Sequence, residues 1–183
     1  MRSQKGFTLV ELLVAMAIAG IVMAAGYSMY ISQQKAYQTT EDVTALQQNL
    51  RSAMYFIEND MRMAGYNPTR SSQAFSFTDI APNSCTFLID KNEDGTPQNE
   101  SERMTYRLSG NNLQKIYGTP TAPVSQQTIA ENITGLSFTW YNNAGSTPAN
   151  GGDVRRVVVT ITGTDGQHTR QLSSMIVCRN MAF

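Results

Sequence analysis

The sequence predicts an α+β fold in which one long N-terminal helix packs on a mainly antiparallel β-sheet. Residues 7 to 64 contain no proline and keep helical spacing of apolar residues in their second half. Beyond Pro68 the apolar residues recur with period two. Turn formers separate the alternating segments, so neighbouring strands are joined by hairpins and run antiparallel.

From Phe7 to Ile31 the only charged residue is Glu11. A helix of about 25 residues crosses roughly 30 Å of hydrocarbon, so this run is a membrane span by length. Arg2 and Lys5 precede it and mixed charge follows. The positive-inside bias then leaves the short N-terminus in the cytoplasm and exports the body. A secretory signal has a shorter apolar core with its cleavage site behind it. Here the small residue Gly6 stands before the run, so cleavage there leaves the apolar helix on the mature chain.

The helical pattern continues past the span. Val43, Leu46, Leu50, Ala53, Ile57, Met61 and Ala64 form one apolar stripe at intervals of three and four. Gly65 and Asn67-Pro68 supply the stop. One helix from about Phe7 to Ala64 would be roughly 85 Å long at 1.5 Å per residue. Its stripe lasts only about three heptads, short for a coiled coil, and is read as core against the chain's own body.

In that body, "RMTYRLS" and "LQKIY" flank Gly110-Asn111-Asn112, a hairpin signal. Leu136, Phe138 and Trp140 alternate with polar residues, and Val157, Val159 and Ile161 do the same before "GTDG" turns the chain into "QHTRQLSSMIVC". "CTFLID" reads as a further strand, while "NPTRSSQ", "GTPTAPVSQQ" and "NNAGSTPANGGD" read as surface loops. The expected organisation is a leader at 1–6, a transmembrane half-helix at 7–31, an amphipathic half-helix at 32–66 and a β-rich body at 67–183.

Fourteen Lys and Arg balance fourteen Asp and Glu, so no positive field points to nucleic acid. Removing Arg2 and Lys5 with a leader takes the basic count from 14 to 12 against 14 acidic residues. His168, the single histidine, has no cysteine nearby to share a metal, so a metal or acid-base role is not expected. No nucleophile elbow and no phosphate-binding glycine loop is present, so no catalytic constellation and no enzyme is expected.

The stretch "KGFTLVELLVAMAIAGIV" resembles the prepilin N-terminus of the type IV filament superfamily, which includes pili and type II secretion pseudopili. The resemblance implies cleavage by a prepilin peptidase between Gly6 and Phe7, methylation of the new Phe7 amine, and an assembly role for Glu11 at the fifth mature position. "LQQNLRSAMYFIENDMRMAGYNP" and the terminal "MIVCRNMAF" are similar to PilW-type minor pilins, and type II secretion J-type pseudopilins share this layout. What this implies is a structural subunit of the inner membrane and pilus. Its expected partners are minor and major pilins, the prepilin peptidase and the pilus assembly platform. Many major pilins carry proline where this chain has Ser28, so this helix lacks that weak point. A reading from another class is a membrane-anchored, calcium-dependent binding module.

Three groups of residues can carry chemistry. A charged carboxylate at membrane depth costs about 2.5–3.5 kcal/mol, so Glu11 needs a partner. The Phe7 amine, created by cleavage, is available within the chain or from a neighbour. The resemblance implies the neighbour. Asp90, Asn92 and Asp94 followed by Gly95 resemble the opening of a calcium loop, with Thr96 and Glu102 as further oxygen donors. The twelfth position holds Ser101 where an EF-hand has glutamate, so a solvated acidic turn remains the alternative. Cys85 and Cys178, the two cysteines of an exported body, are expected to form one disulfide, two buried thiols being the other possibility.

Overall fold

The computed structural model describes residues 6–71, 75–97, 100–118 and 122–181. A helix α1 spans Leu9–Arg62 without interruption, as a stretch free of proline permits. Eight strands follow: β1 Phe77–Asp79, β2 Ser84–Leu88, β3 Arg103–Ser109, β4 Asn112–Gly118, β5 Pro123–Ala130, β6 Ile133–Tyr141, β7 Arg156–Thr164 and β8 Thr169–Val177. Short 3-10 turns occupy Glu100–Glu102, Gly151–Asp153 and Arg179–Met181. The chain divides into two compact units, one ending at Asp42 and the other running from Val43 to the C-terminus.

The fold is α+β, with every strand pairing antiparallel, but the strands form two sheets where one was expected. The first has the order β1-β2-β3-β4-β5 and the second β6-β7-β8. The expected loop "GTPTAPVSQQ" is corrected in its second half, because β5 begins at Pro123 and pairs with β4. The strand shows no apolar alternation because its residues from Pro123 to Thr128 are exposed and, apart from Pro123 and Val124, polar. It is a sheet edge, and proline is tolerated at its first position. Residues 119–121 of that stretch, and 72–73 of "NPTRSSQ", lie outside the described residues.

Within the second unit, the stripe on α1 is core as expected. Leu46, Leu50, Ala53, Ile57 and Met61 are buried, together with Met54. The helix meets both sheets. A side chain at Gly163 on β7 would come within 3.0 Å of Leu46 and 3.2 Å of Leu50, so the glycine lets helix and sheet approach closely. On the other sheet, Lys115 Nζ of β4 lies 2.6 Å from Asp60 Oδ2, and the Tyr106 hydroxyl of β3 donates to the same carboxylate. Gly65 then ends the helix in the left-handed conformation, at φ 80°, and donates its N–H to Leu88 O at 3.0 Å.

An aromatic cluster joins the sheets. Phe77 of β1 packs on Trp140 of β6 at 5.1 Å between ring centroids and on Phe87 of β2 at 5.7 Å. Trp140 Nε1 donates to Ala81 O at 3.3 Å, and Phe138 N donates to Pro82 O at 2.7 Å. The indole thus finds the partner that a buried Trp N–H requires.

Candidate functional site

Two regions hold the expected functional residues: the N-terminal edge of α1 and the loop between β2 and β3. At the first, Gly6, Phe7 and Thr8 lie outside the helix, which begins at Leu9. Phe7 is 89 % exposed, and a side chain at Gly6 would meet nothing within 4 Å. The described fold therefore gives no packing reason for glycine there. A bond between two exposed, non-helical residues is the accessible kind that a peptidase needs. Residues 1–5 of the expected leader lie outside the described residues.

Glu11 is engaged by a residue that the sequence reading passed over. Thr8 N and Thr8 Oγ1 both donate to Glu11 Oε2 at 3.0 Å, while Glu11 N donates back to Thr8 Oγ1 at 3.3 Å. Leu12 N donates to Thr8 O at 3.3 Å, the first bond of the helix. This is a capping box, with Thr8 at the cap and Glu11 three positions on, and the pattern Thr-x-x-Glu is legible in the sequence. It answers two orphan N–H groups of the helix start and places the carboxylate where the helix dipole favours negative charge. In the uncut chain, Glu11 thus has a local partner one residue from the Phe7 amide that cleavage would turn into an amine.

Behind the cap, the large apolar side chains from Leu9 to Met23 are all exposed. The helix is long and apolar enough there to cross a membrane. It also carries Gly20 and Gly26, at which a side chain would meet nothing within 4 Å. Glycine in a helix interior costs about 1 kcal/mol relative to alanine, and no packing contact among the described residues offsets that.

In the second region, Asp90, Asp94 and Glu102 come together, with one oxygen from each lying within 4.8 Å of the others. Asp90 is 0 % and Glu102 1 % exposed, and Asp94 faces solvent. Gly95 N donates to Asp90 Oδ2 at 3.1 Å and Asn92 N to Glu102 Oε1 at 3.3 Å. The second oxygens, Asp90 Oδ1 and Glu102 Oε2, are buried with no hydrogen-bond partner among the described residues.

Thr96 and Asn92, the other residues expected as oxygen donors, both hydrogen-bond to Asp94. Thr96 donates its N–H at 2.7 Å and its hydroxyl at 2.6 Å to Asp94 Oδ1, and Asn92 Nδ2 donates to Asp94 Oδ2 at 2.8 Å. The Thr96 and Asn92 hydrogen bonds hold the Asp94 carboxyl below the usual range. Gly95 sits at φ 74° with Thr69 Oγ1 2.6 Å from where a Cβ would be, so the sharp turn and the neighbouring segment both require glycine.

The expected disulfide is corrected: Cys85 and Cys178 stand as free, buried thiols. Cys85 lies on β2 opposite Tyr106, and Cys178 follows β8 with its N–H bound to Arg155 O at 2.9 Å. Both fill core positions as small apolar groups. Burial pushes the Cys178 thiol up to about 12, against an opposing pull from Arg155, and raises Cys85 as well. His168 pairs with Asp165 at 3.2 Å in the turn between β7 and β8.

Comparison with known proteins returns matches at both ends of the chain. Residues 1–27 match the prokaryotic N-terminal methylation motif. Residues 39–178 match the family model of prepilin peptidase-dependent protein B. The pilin-like protein PilA3 of Thermus thermophilus is 29 % identical over 184 residues, covering 87 % of this chain and 79 % of its own length. No solved structure matches.

Proposed function

The chain belongs to the family of prepilin peptidase-dependent protein B, and from that membership we propose that it is a minor pilin of a type IV pilus. As a pilin-like protein with a prepilin methylation motif it is a pilus-related structural subunit, anchored through its apolar N-terminal helix. The proposal adds four steps. The prepilin peptidase cuts after Gly6; Phe7 is methylated at its new amine; the helix rests in the inner membrane with its N-terminus cytoplasmic and its body outside; and the assembly platform moves the subunit into a filament of other minor and major pilins.

The observation that carries this reading is the position of Glu11, held in a capping box directly behind an exposed Gly6–Phe7 bond. A tether has no use for a buried charge at that depth. A filament subunit has one, because the Phe7 amine of one subunit and Glu11 of the next are complementary charges in an apolar medium, where such a pair fixes axial stagger. The capping box keeps the carboxylate solvated by Thr8 until that amine arrives. Gly20 and Gly26 are consistent with close approach of neighbouring helices.

Glu11→Ala tests the assembly step. The expected result is normal leader cleavage and membrane insertion with loss of the subunit from sheared pili, measured by immunoblot of membrane and filament fractions. Normal incorporation would contradict the proposal. The layout shared with J-type pseudopilins supports a second reading, a type II secretion pseudopilus. Cross-linking of the full chain in cells separates the two by whether pilins or secretion components are recovered.

A further inference from the structure

We propose that the loop between β2 and β3 is a calcium site in which Asp90, Asp94 and Glu102 are the ligands and Asn92 and Thr96 only position Asp94. This goes beyond the pilus role and does not rest on it.

Two carboxylates here are almost wholly buried, and each keeps one oxygen without a partner among the described residues. Burying ionised carboxylates is costly unless they are paired or coordinate a metal. Three acidic groups whose oxygens lie within 4.8 Å of one another repel instead. No ion pair to these three is present among the described residues; Lys91, the cation next to Asp90 in sequence, points over the Tyr117 ring at 5.8 Å. A divalent cation converts this repulsion into coordination.

The donors choose the metal. They are all oxygens, without the nitrogen or sulfur that zinc prefers. Ligands on opposite sides of calcium, each at about 2.3–2.6 Å, stand roughly 4.6–5.2 Å apart. One oxygen from each of the three groups lies within 4.8 Å of the others, inside that upper limit for ligands of one ion. Magnesium requires a tighter octahedron, and an irregular loop with bulky carboxylates suits it poorly. Asn92 Oδ1 accepts from Asp94 N while its Nδ2 donates to Asp94 Oδ2, and Thr96 donates its N–H and hydroxyl to Asp94 Oδ1, so both residues are turned toward Asp94 and contribute orientation of that ligand.

Calcium here would also lock a joint of the fold. Asp90 N donates to Tyr66 O at 2.9 Å and Ser71 Oγ to Gly95 O at 2.6 Å, tying the loop to the segment that follows α1. Ile89 N donates to Glu102 O at 3.0 Å and closes the loop's own base.

The test uses the full chain in detergent, stripped with chelator and titrated with calcium chloride alone, read by calorimetry and thermal melting. The expected result is one-site binding with Kd on the order of 10⁻³ M or tighter and a calcium-dependent rise in Tm. Asp90→Asn and Glu102→Gln should abolish both signals yet melt in chelator at or above the parent's temperature, since each removes an uncompensated buried charge. Asp153→Asn, at an exposed carboxylate elsewhere, should bind as the parent does. The proposal is overturned if millimolar calcium gives neither heat nor a melting shift on the parent, if the two variants bind like the parent, or if magnesium binds equally tightly. Should either variant fail to fold, the parent titration alone decides.

Discussion

Gly151→Ala is expected to destabilise the β-rich body by more than about 4 kcal/mol, in the range reserved for disrupted cores and backbone clashes. The Cβ it adds would stand 1.7 Å from Phe77 O, 2.5 Å from Phe77 C and 2.9 Å from Phe77 Cβ. The nearest atoms are backbone, so no side-chain rotation relieves the clash, and β1 itself must move. Phe77 packs edge-on against Trp140 and tilted against Phe87, so displacing it opens the seam between the two sheets. Gly152→Ala is the control. There the nearest atom is the Asn150 Oδ1 at 3.2 Å, the end of a side chain, and the cost should stay within about 1 kcal/mol. Urea unfolding of both variants reads the difference; equal stabilities would show that β1 does not press on the 3-10 turn as described.

Asp60→Ala is the second large effect, with an expected loss of about 3 kcal/mol at neutral pH. Asp60 accepts from the Tyr106 hydroxyl and from Lys115, whose side chain is only 12 % exposed. Removing one partner of a mostly buried pair leaves the other charge uncompensated, which costs about 3–5 kcal/mol in full burial and less at this partly wet site. The pH dependence carries the sharper signature. Burial works against the Lys115 ammonium, but hydrogen bonds and attraction from Asp60 and Tyr117 outweigh it and raise its pKa. A raised lysine stabilises fully below the unfolded value near 10.4 and loses that contribution as pH rises through the folded value. In Asp60→Ala burial dominates and the folded pKa falls below the unfolded one. The variant should therefore gain stability as pH rises from about 7 to about 10.4, with the parent weakening only above that, so the deficit narrows through both windows. A deficit that does not change with pH would contradict the pairing.

Much of this architecture is written in local pattern. The stripe on α1 announces itself because residues three and four apart share a face, and every member from Leu46 to Ala64 is buried. The hairpin of β3 and β4 closes around Gly110, at φ 59°, where the sequence places its turn. β1 and β5 were not legible for opposite reasons. The first has three residues, too few to show a period, and the second is a polar edge whose pairing with β4 is its only signal. The division into two sheets depends on which strands fail to pair, and nothing in the segment from Ala130 to Ile133 states that.

The functional residues follow the same rule. The acidic loop was visible as spacing, Asp90, Asn92, Asp94 and Gly95, yet the part Glu102 plays depends on the 3-10 turn that returns it to the cluster. That Asn92 and Thr96 turn their side chains to Asp94 is a matter of hydrogen bonds that spacing alone does not state. The engagement of Glu11 by Thr8 is legible from Thr-x-x-Glu alone, although an acidic residue in an apolar run points equally to a charge partner. Asp60 and Lys115 are 55 residues apart in sequence, and only the fold makes them a pair.

Cleavage after Gly6 and passage of the methylated subunit into a filament form the centre of this account. Intact-mass spectrometry of the chain recovered from sheared pili tests both at once. The expected mass is that of residues 7–183 plus one methyl group, found in the filament fraction. Recovery of the uncut chain, or its absence from pili that contain the other subunits, would contradict it.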